Sequence, residues 1–313
     1  MVNSIRHNIA QRVFNRLLSA QYHTPSDKLK SKIWHSLRRG IVRFGDPLVK
    51  YNLGLFTIYI PLSHNLPIDL KNFPEYNGDL VKLAALIRAK YQDLHIIDIG
   101  ANVGDTAAMI RSSIDSPILC IEGDGRYYNI LTKNINSMPN VESVQCYIDA
   151  RSASIQIAKS FGRGTGYLDR SETSKSENVD TYTLPDILRQ FARFSNAKLL
   201  KIDTDGFDGN IIRGASDWIK HAHPIIFFEY AANLMAQNGD DGLSLFNFLA
   251  ELGYTCATIH RDMGGIINAV EPLTAEQLKD IDREIRKGWL HAYVDITAFH
   301  SEDRDVFQSF SKR

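Results

Sequence analysis

The chain has 313 residues, an apolar share of 44% and no net charge, since 36 lysines and arginines balance 36 aspartates and glutamates. This length fits one large domain, or one domain with an extension, and the charge balance argues against nucleic acid as the main partner. No stretch reaches the roughly 20 apolar residues that cross a bilayer. The N-terminus shows no apolar signal core, so we expect a cytoplasmic protein without a transmembrane segment. Three cysteines without a C-x-x-C pair predict buried free thiols.

The first 94 residues predict an extension made of helices and a β-hairpin. Apolar residues at every fourth position from Ile5 to Leu17 indicate one helix, and a second helix is expected from Ser26. Aromatic and β-branched residues around Gly54 predict the hairpin over Tyr51–Leu62. The first 50 residues contain ten lysines and arginines against two aspartates. Three interpretations stay open for this basic segment: a solvated helix face, a contact in a homo-oligomer, or a patch that holds an anionic or lipid-linked substrate.

Strands alternate with helices from residue 95 onward, which predicts an α/β domain with a parallel sheet over residues 95–313. Asp98 ends a short apolar run, and a turn bracketed by Gly100 and Gly104 leads into a helix. Glycines let a ligand lie against bare backbone, and ligands of open α/β sheets bind at the carboxyl ends of strands. The spacing differs from that of the dinucleotide fingerprint. Glu122 ends the next strand, where a carboxylate can accept both hydroxyls of a ribose.

Two further segments have alternative interpretations. Asp149 follows the predicted third strand, where it accepts a hydrogen bond from an adenine amino group or is a surface acid. The glycine-rich residues 162–166 lack the lysine of a phosphate-binding loop, and we interpret them as a lid or substrate loop.

A second group of acids follows the fourth and fifth predicted strands. It consists of Asp203, Asp205, Asp208 and Glu229. Carboxylates this close raise one another's pKa unless a cation intervenes, and the cation is a charged cofactor, Lys201 or a divalent metal. Asp208 falls in the first turn of the next helix, where an acid complements the helix dipole, so it is the most structural of the four. The D-x-D pattern also resembles the metal motif of many glycosyltransferases.

In its motifs the sequence resembles the FkbM-type methyltransferases, which use S-adenosylmethionine (SAM). The resemblance runs in order over residues 95–300 and rests on Asp98–Gly104, Glu122, Val179–Leu184, Leu200–Gly206, Arg213–Ala215 and Pro224–Glu229. Asp205 and Asp208 stand where the family usually has glutamate. The resemblance implies a Rossmann-like class I fold with a mixed seven-stranded sheet, and O-methylation of sugar or polyketide-type hydroxyls with SAM.

The resemblance also implies roles for particular residues. The cofactor-binding residues are expected to be Asp98, Gly100, Ala101, Asn102, Gly104, Glu122, Gly123 and Asp149. The catalytic candidates are Asp203, Asp205, Glu229 and His260. Asp203 and Asp205 act either as the base or as ligands of Mg²⁺ that acidifies the hydroxyl. The expected activity is O-methylation of a sugar or glycan. The alternatives are a SAM-binding partner without catalysis and a metal-dependent glycosyltransferase.

Overall fold

The structure of the protein is a computed structural model that describes residues 2–19, 25–162, 165–169, 176–261, 263–288 and 292–312. Its N-terminal part contains helices and a hairpin, as predicted. These elements are α1 (Val2–Ser19), α2 (Pro25–Arg43), β1 (Leu48–Leu53), β2 (Phe56–Pro61), α3 (Leu66–Asn72) and α4 (Gly78–Lys90). The hairpin begins three residues earlier than the sequence predicts, and β1 pairs with β2 from Leu48 opposite Pro61.

The rest of the chain alternates strands and helices. The strands are β3 (Ile96–Ile99), β4 (Ile118–Glu122), β5 (Val141–Gln145), β6 (Tyr147–Ile148), β7 (Ala153–Gly162), β8 (Thr165–Asp169), β9 (Ser176–Tyr182), β10 (Leu199–Ile202), β11 (Ile225–Tyr230), β12 (Tyr254–His260), β13 (Ile266–Val270) and β14 (Val294–His300). The helices are α5 (Asp105–Ser113), α6 (Gly125–Ile135), α7 (Leu184–Leu188), α8 (Asp208–Gly214), α9 (Ser216–Ala222), α10 (Ala232–Gln237), α11 (Gly242–Glu251), α12 (Ala275–Arg286) and α13 (Arg304–Phe310).

The main sheet has eight strands in the order β13-β12-β14-β11-β10-β3-β4-β5. Strands β11, β10, β3, β4 and β5 run parallel, whereas β14, β12 and β13 pair antiparallel. The predicted Rossmann-like α/β class with a mixed sheet is confirmed. The sheet has one strand more than the seven predicted, because β13 pairs along the outer side of β12.

A second sheet has the order β6-β9-β7-β8. The glycine-rich segment expected to be a lid lies at the connection of the antiparallel pair β7 and β8, where Gly162 stands opposite Thr165. Residues 163 and 164 of this segment lie outside the described residues. Its role as a lid stays a prediction.

The hydrophobic core lies on both faces of the main sheet. Ile97 and Leu200 belong to the cluster on one face. On the other face, Phe14 and Ile58 of the N-terminal part join the same cluster as Cys120 of β4. The N-terminal part is therefore packed against the sheet, and the division at residue 94 stays a prediction. All three cysteines are buried and free, as predicted. Among the described helices, none is long and apolar enough to cross a membrane.

Candidate functional site

A glycine turn joins β3 to α5 at the carboxyl edge of the main sheet. Gly100 has φ +78°, and a Cβ there would lie 1.9 Å from the carbonyl oxygen of Asp203. Only glycine combines this left-handed backbone with such a close approach. Gly104 has φ +82° and is the residue before α5, and Ala101 between them is buried. The turn therefore presents backbone rather than side chains at the edge where α/β proteins bind ligands.

Glu122 is held against this turn. Its Oε2 accepts a hydrogen bond from the N–H of Asn102 at 2.8 Å, and its Oε1 accepts one from the N–H of Asp124 at 2.8 Å. Burial raises the pKa of Glu122 to about 7. Glu122 at the end of β4 thus lies beside the turn that follows Asp98 of β3. A bound hydroxyl can be received by a carboxylate whose orientation is already fixed.

The next two predicted cofactor residues follow β4 of the main sheet and β6 of the second sheet. A Cβ on Gly123 would lie 2.2 Å from the ring of Tyr147, so the tyrosine ring packs directly over the glycine. Asp149 follows β6, is buried, and accepts a hydrogen bond from the N–H of Ala150 at 2.7 Å. The burial of Asp149 does not fit the alternative of a surface acid.

Lys201 is the cation between the two acidic groups. Its Nζ lies 3.1 Å from Oδ1 of Asp98 and 3.2 Å from Oδ2 of Asp203. The side chains of Lys201 and Asp98 are 6% and 1% exposed, whereas that of Asp203 is 53% exposed. Burial alone would lower the pKa of Lys201, but the carboxylates of Asp203 and Asp98 raise it well above its usual value. Lys201 therefore stays charged and fixes the position of both acids.

The remaining acids form a cluster with raised pKa values. Burial, together with the charges of Asp203 and Asp208, raises the pKa of Asp205 to about 8. Burial and Asp203 raise the pKa of Asp208 to about 7, and this carboxylate accepts hydrogen bonds from Thr204 Oγ1 at 2.9 Å and the N–H of Glu229 at 3.3 Å. These bonds fit the structural role expected for Asp208.

Glu229, on β11, belongs to the same acid cluster. Burial, followed by the charges of Asp203 and Asp208, raises the pKa of Glu229 well above its usual value. Its Oε1 is buried and has no hydrogen-bond partner among the described residues. The charged form of this carboxyl group is therefore disfavoured by its surroundings.

His260 lies in the same part of the sheet but is fully engaged. It is 1% exposed. Its Nε2 lies 2.8 Å from Thr258 Oγ1 and 3.1 Å from Thr297 Oγ1, and its Nδ1 lies 3.1 Å from Oδ2 of Asp79. Strand β14 lies between His260 and the β11 strand that carries Glu229. Neither ring nitrogen is free to take a proton from a substrate.

Side chains that suit a metal ion converge elsewhere. Among the residues that the structure describes, three or more such ligands come together only at His223, His300 and Glu302. His223 precedes β11 and the other two lie at the end of the antiparallel β14, so this cluster is at the opposite edge of the sheet. Among the described residues, Asp203 and Asp205 do not belong to a group of three such side chains, and Mg²⁺ at this pair stays a prediction without support.

The N-terminal part places His64, which the sequence analysis did not single out, beside the turn. Arg38 of α2 donates hydrogen bonds to the carbonyls of Leu62 at 2.8 Å and Ser63 at 2.6 Å. This holds His64 beside the side chain of Asn102. Burial lowers the pKa of His64 to about 4, so the ring is neutral. A single histidine in a predicted loop gives no signal for a contact that depends on the path of the whole chain.

Comparison with protein families decides which family the chain belongs to. The sequence matches the methyltransferase FkbM domain over residues 98–256, which is just over half of the chain. The match begins at Asp98 and includes Glu122, Lys201 and all four acids of the cluster. The protein belongs to the FkbM methyltransferase family. The alternative of a metal-dependent glycosyltransferase is therefore wrong.

Solved structures with a similar fold include other methyltransferases. A methyltransferase FkbM from Methylobacillus flagellatus KT is 13% identical to this family member with a TM-score of 0.39, over 83% of this chain and 57% of that one. A putative O-methyltransferase from Klebsiella pneumoniae is 11% identical with a TM-score of 0.39, over 86% and 99%. An O-methyltransferase from Bacillus cereus in complex with SAH is 12% identical with a TM-score of 0.36, over 74% and 88%. Comparison with curated proteins gives no match.

The glycine turn of this FkbM-family methyltransferase gives a first prediction. Gly100→Ala places a methyl group against the backbone of Asp203, so we expect a loss of about 1–3 kcal/mol in the free energy of unfolding and weaker cofactor binding. Gly239→Ala is a matched control, because Gly239 has φ +79° but no atom within 4 Å of the added Cβ. Denaturant unfolding and calorimetric titration with S-adenosylhomocysteine measure both effects. Equal behaviour of the two variants would contradict the role given to the close approach.

Proposed function

We propose that this methyltransferase uses SAM to methylate a hydroxyl group of a sugar or glycan. The observation that carries the proposal is a base of suitable strength beside a cofactor turn: Asp205, with a pKa of about 8, follows the strand next to the Gly100 turn. A carboxyl group with this pKa can take the proton of a hydroxyl near neutral pH. The family supports methyl transfer, and the acid cluster supports a hydroxyl acceptor.

The residues of the turn fit a nucleoside cofactor that carries a positive charge. In this proposal, the backbone of residues 100–104 and Asp98 hold the methionine part, Glu122 holds the ribose, and Gly123 and Asp149 lie on the adenine side. When bound, SAM supplies a methyl group whose bond to sulfur breaks as the acceptor oxygen attacks, and the sulfur keeps the electron pair. The acid cluster favours a cation at this place, because raised carboxyl pKa values fall when a positive charge approaches.

The chain's own residues must orient the acceptor and remove its proton. Asp205 is the proposed base, and its exposed neighbour Asp203 is the proposed hydrogen-bond acceptor that orients the hydroxyl, held in position by Lys201. Orientation of two reactants supplies up to roughly 7–11 kcal/mol of the barrier reduction. Glu229, which lies in the same acid cluster, is the reserve candidate for proton removal. His260 is not assigned a proton transfer, because both of its ring nitrogens are engaged.

A binding prediction follows from the two hydrogen bonds of Glu122. Glu122→Gln replaces one acceptor oxygen by an amide that cannot accept from a backbone N–H, and removes the charge offered to the ribose. Hydrogen bonds to charged groups contribute about 1.5–3 kcal/mol, so we expect the affinity for S-adenosylhomocysteine to fall roughly 10–100-fold. Glu142→Gln on β5 is the control, since this acid pairs with Arg193 at the surface. Equal affinity in both variants would remove Glu122 from the cofactor site.

The experiment that tests the function measures methyl transfer itself. The protein is incubated with methyl-labelled SAM and a panel of glycans, and the products are hydrolysed to identify labelled O-methyl sugars. Labelled sugar ethers support the proposal. Binding of S-adenosylhomocysteine without transfer to any acceptor would favour the alternative of a SAM-binding partner without catalysis. Label on nitrogen or carbon would show that the acceptor is not a hydroxyl group and would contradict the proposal.

A further inference from the structure

Exposed apolar side chains gather on the first two helices. Among the described residues, seven large apolar side chains are exposed, and four of these belong to α1, to α2 or to the residue after α2. They are Ile9, Ile33, Leu37 and Phe44, with exposed fractions from 45% at Leu37 to 73% at Phe44. Apolar surface that is concentrated in this way marks a binding surface, whereas single exposed residues do not.

On α2 these residues form an ordered pattern. The apolar stripe consists of Ile33, Leu37 and Phe44. The basic stripe consists of Lys32, Arg39 and Arg43, all exposed. Separations of four or seven positions place Ile33 and Leu37 along one line of α2, and the three basic residues along another. Phe44 lies in the turn that follows α2. Each member of the basic stripe is one position before, or two positions after, a member of the apolar stripe, so the basic stripe lies roughly a third of a turn around α2 from the apolar stripe.

A groove continues the apolar stripe toward α1. Its volume is about 550 Å³, and it is lined by Ile9 of α1, by Ile41 and Phe44, and by Leu48 of β1, with Arg6 beside them. The guanidinium of Arg6 donates a hydrogen bond to the carbonyl of Phe44 at 2.7 Å, which fixes a positive charge beside the exposed ring. The groove therefore combines apolar walls with the charged side chains of Arg6 and Asp46.

The charge of this region is opposite to that of the rest of the chain. The first 50 residues carry ten basic and two acidic side chains, a net charge of +8, so the remaining residues carry −8 in a chain of zero net charge. We propose that the apolar stripe, the basic stripe and the groove bind the surface of an anionic lipid bilayer. Apolar side chains enter the boundary between headgroups and acyl chains, and basic side chains pair with anionic headgroups.

Other partners fit the two stripes less well. In a two-fold contact between copies, the basic stripes would face each other and repel. Nucleic acid would pair with the basic stripe but would leave the apolar stripe in water. An anionic bilayer satisfies both stripes together.

The groove also adjoins the side of the molecule that carries the cofactor turn. Asp46 lines the groove, accepts a hydrogen bond from the N–H of Ser63 at 2.9 Å and pairs with Arg126 of α6. The next residue, His64, interacts with Asn102 of the turn. Docking would thus bring the carboxyl edge of the sheet near a membrane. The bilayer contact does not require methyl transfer, so its test is independent of the proposed function.

The experiment is co-sedimentation of the full chain with unilamellar vesicles. One set contains phosphatidylcholine alone, and the other contains equal parts of phosphatidylglycerol and phosphatidylcholine. We expect binding to the anionic vesicles that weakens as salt is added, and weaker binding to the neutral ones. Ile33→Ser/Leu37→Ser/Phe44→Ser is expected to lower the partition coefficient at least tenfold. Lys32→Ala/Arg39→Ala/Arg43→Ala is expected to lower it about fivefold for each charge removed.

Matched controls separate the stripes from general effects. Leu55→Ser removes an apolar side chain that is 79% exposed but lies in the turn of the β1–β2 hairpin, and Lys220→Ala removes an exposed charge on α9. Both are expected to bind like the native chain. Because all these side chains are exposed, thermal unfolding should change little in any variant. Equal binding to both vesicle types, native-like binding of the stripe variants, or self-association that the apolar variant abolishes would overturn the proposal.

Discussion

Replacement of Asp205 by asparagine is expected to lower kcat/KM by about 10²–10⁴, with little change in the affinity for S-adenosylhomocysteine. Asparagine keeps the shape of the side chain and tolerates the left-handed backbone at this position, where φ is +53°. The variant loses only the ability to take a proton. Label transfer to a glycan acceptor and calorimetric titration measure the two quantities separately.

The pH dependence identifies the base more sharply than the rate alone. Because burial and neighbouring acids raise the pKa of Asp205 to about 8, the native kcat/KM should rise with pH up to about that value as the carboxyl group loses its proton. This limb of the pH profile, the rise of kcat/KM up to about pH 8, should be missing in Asp205→Asn. Asp217→Asn on α9 is the control, since its side chain is 90% exposed. Persistence of the limb in Asp205→Asn would assign the proton transfer to another group, with Glu229 the next candidate.

Replacement of Lys201 by methionine is expected to cost about 3–5 kcal/mol in the free energy of unfolding at pH 8, because it leaves buried carboxylates without their counter-charge. Burial already raises the pKa of Asp98 and of Asp105 with Lys201 present. Without the cation these groups must hold protons in the folded state that they release on unfolding above pH 4. Stability of the variant should therefore fall as pH rises from 5 to 8.

Denaturant unfolding at several pH values measures this loss. Lys220→Met is the control, because Lys220 is 55% exposed and its nearest acid, Asp217, is 3.8 Å away. The free energy of unfolding of Lys220→Met should stay within about 0.5 kcal/mol of the native value, and its dependence on pH should be that of the native chain. An equal loss for Lys201→Met at pH 5 and pH 8 would show that lost packing, rather than lost charge, destabilises the variant.

The sequence predicted where the glycine turn and Glu122 lie because their geometry is local, and their binding of the cofactor stays a prediction. Asp98, the glycine turn and the start of α5 are contiguous, and Glu122 lies at the end of the next parallel strand, so spacing alone brings them together. The eighth strand was missed because β13 is a short edge strand in which only Val270 is fully buried. Such a strand shows little alternation of apolar and polar residues.

Other features depend on contacts that spacing does not encode. The sequence named Lys201 as one of three possible cations, and only the packing of β10 beside β3 selected it. The contact between His64 and Asn102 depends on how Arg38 holds the loop after β2. His260 could be predicted at the end of a strand, but its engagement by two threonines and Asp79 required the register of β12 with β14.

The contact of Gly100 with the carbonyl of Asp203 has a consequence for synthesis of the protein. The backbone of the turn also meets Lys201, 101 positions further along the chain. A nascent chain that extends only to α7 therefore contains the turn but not Lys201 and Asp203, which lie against it in the folded protein. Any nascent or truncated product that ends before β10 lacks these contacts, so under the proposed function it would not bind the methyl donor as the folded chain does.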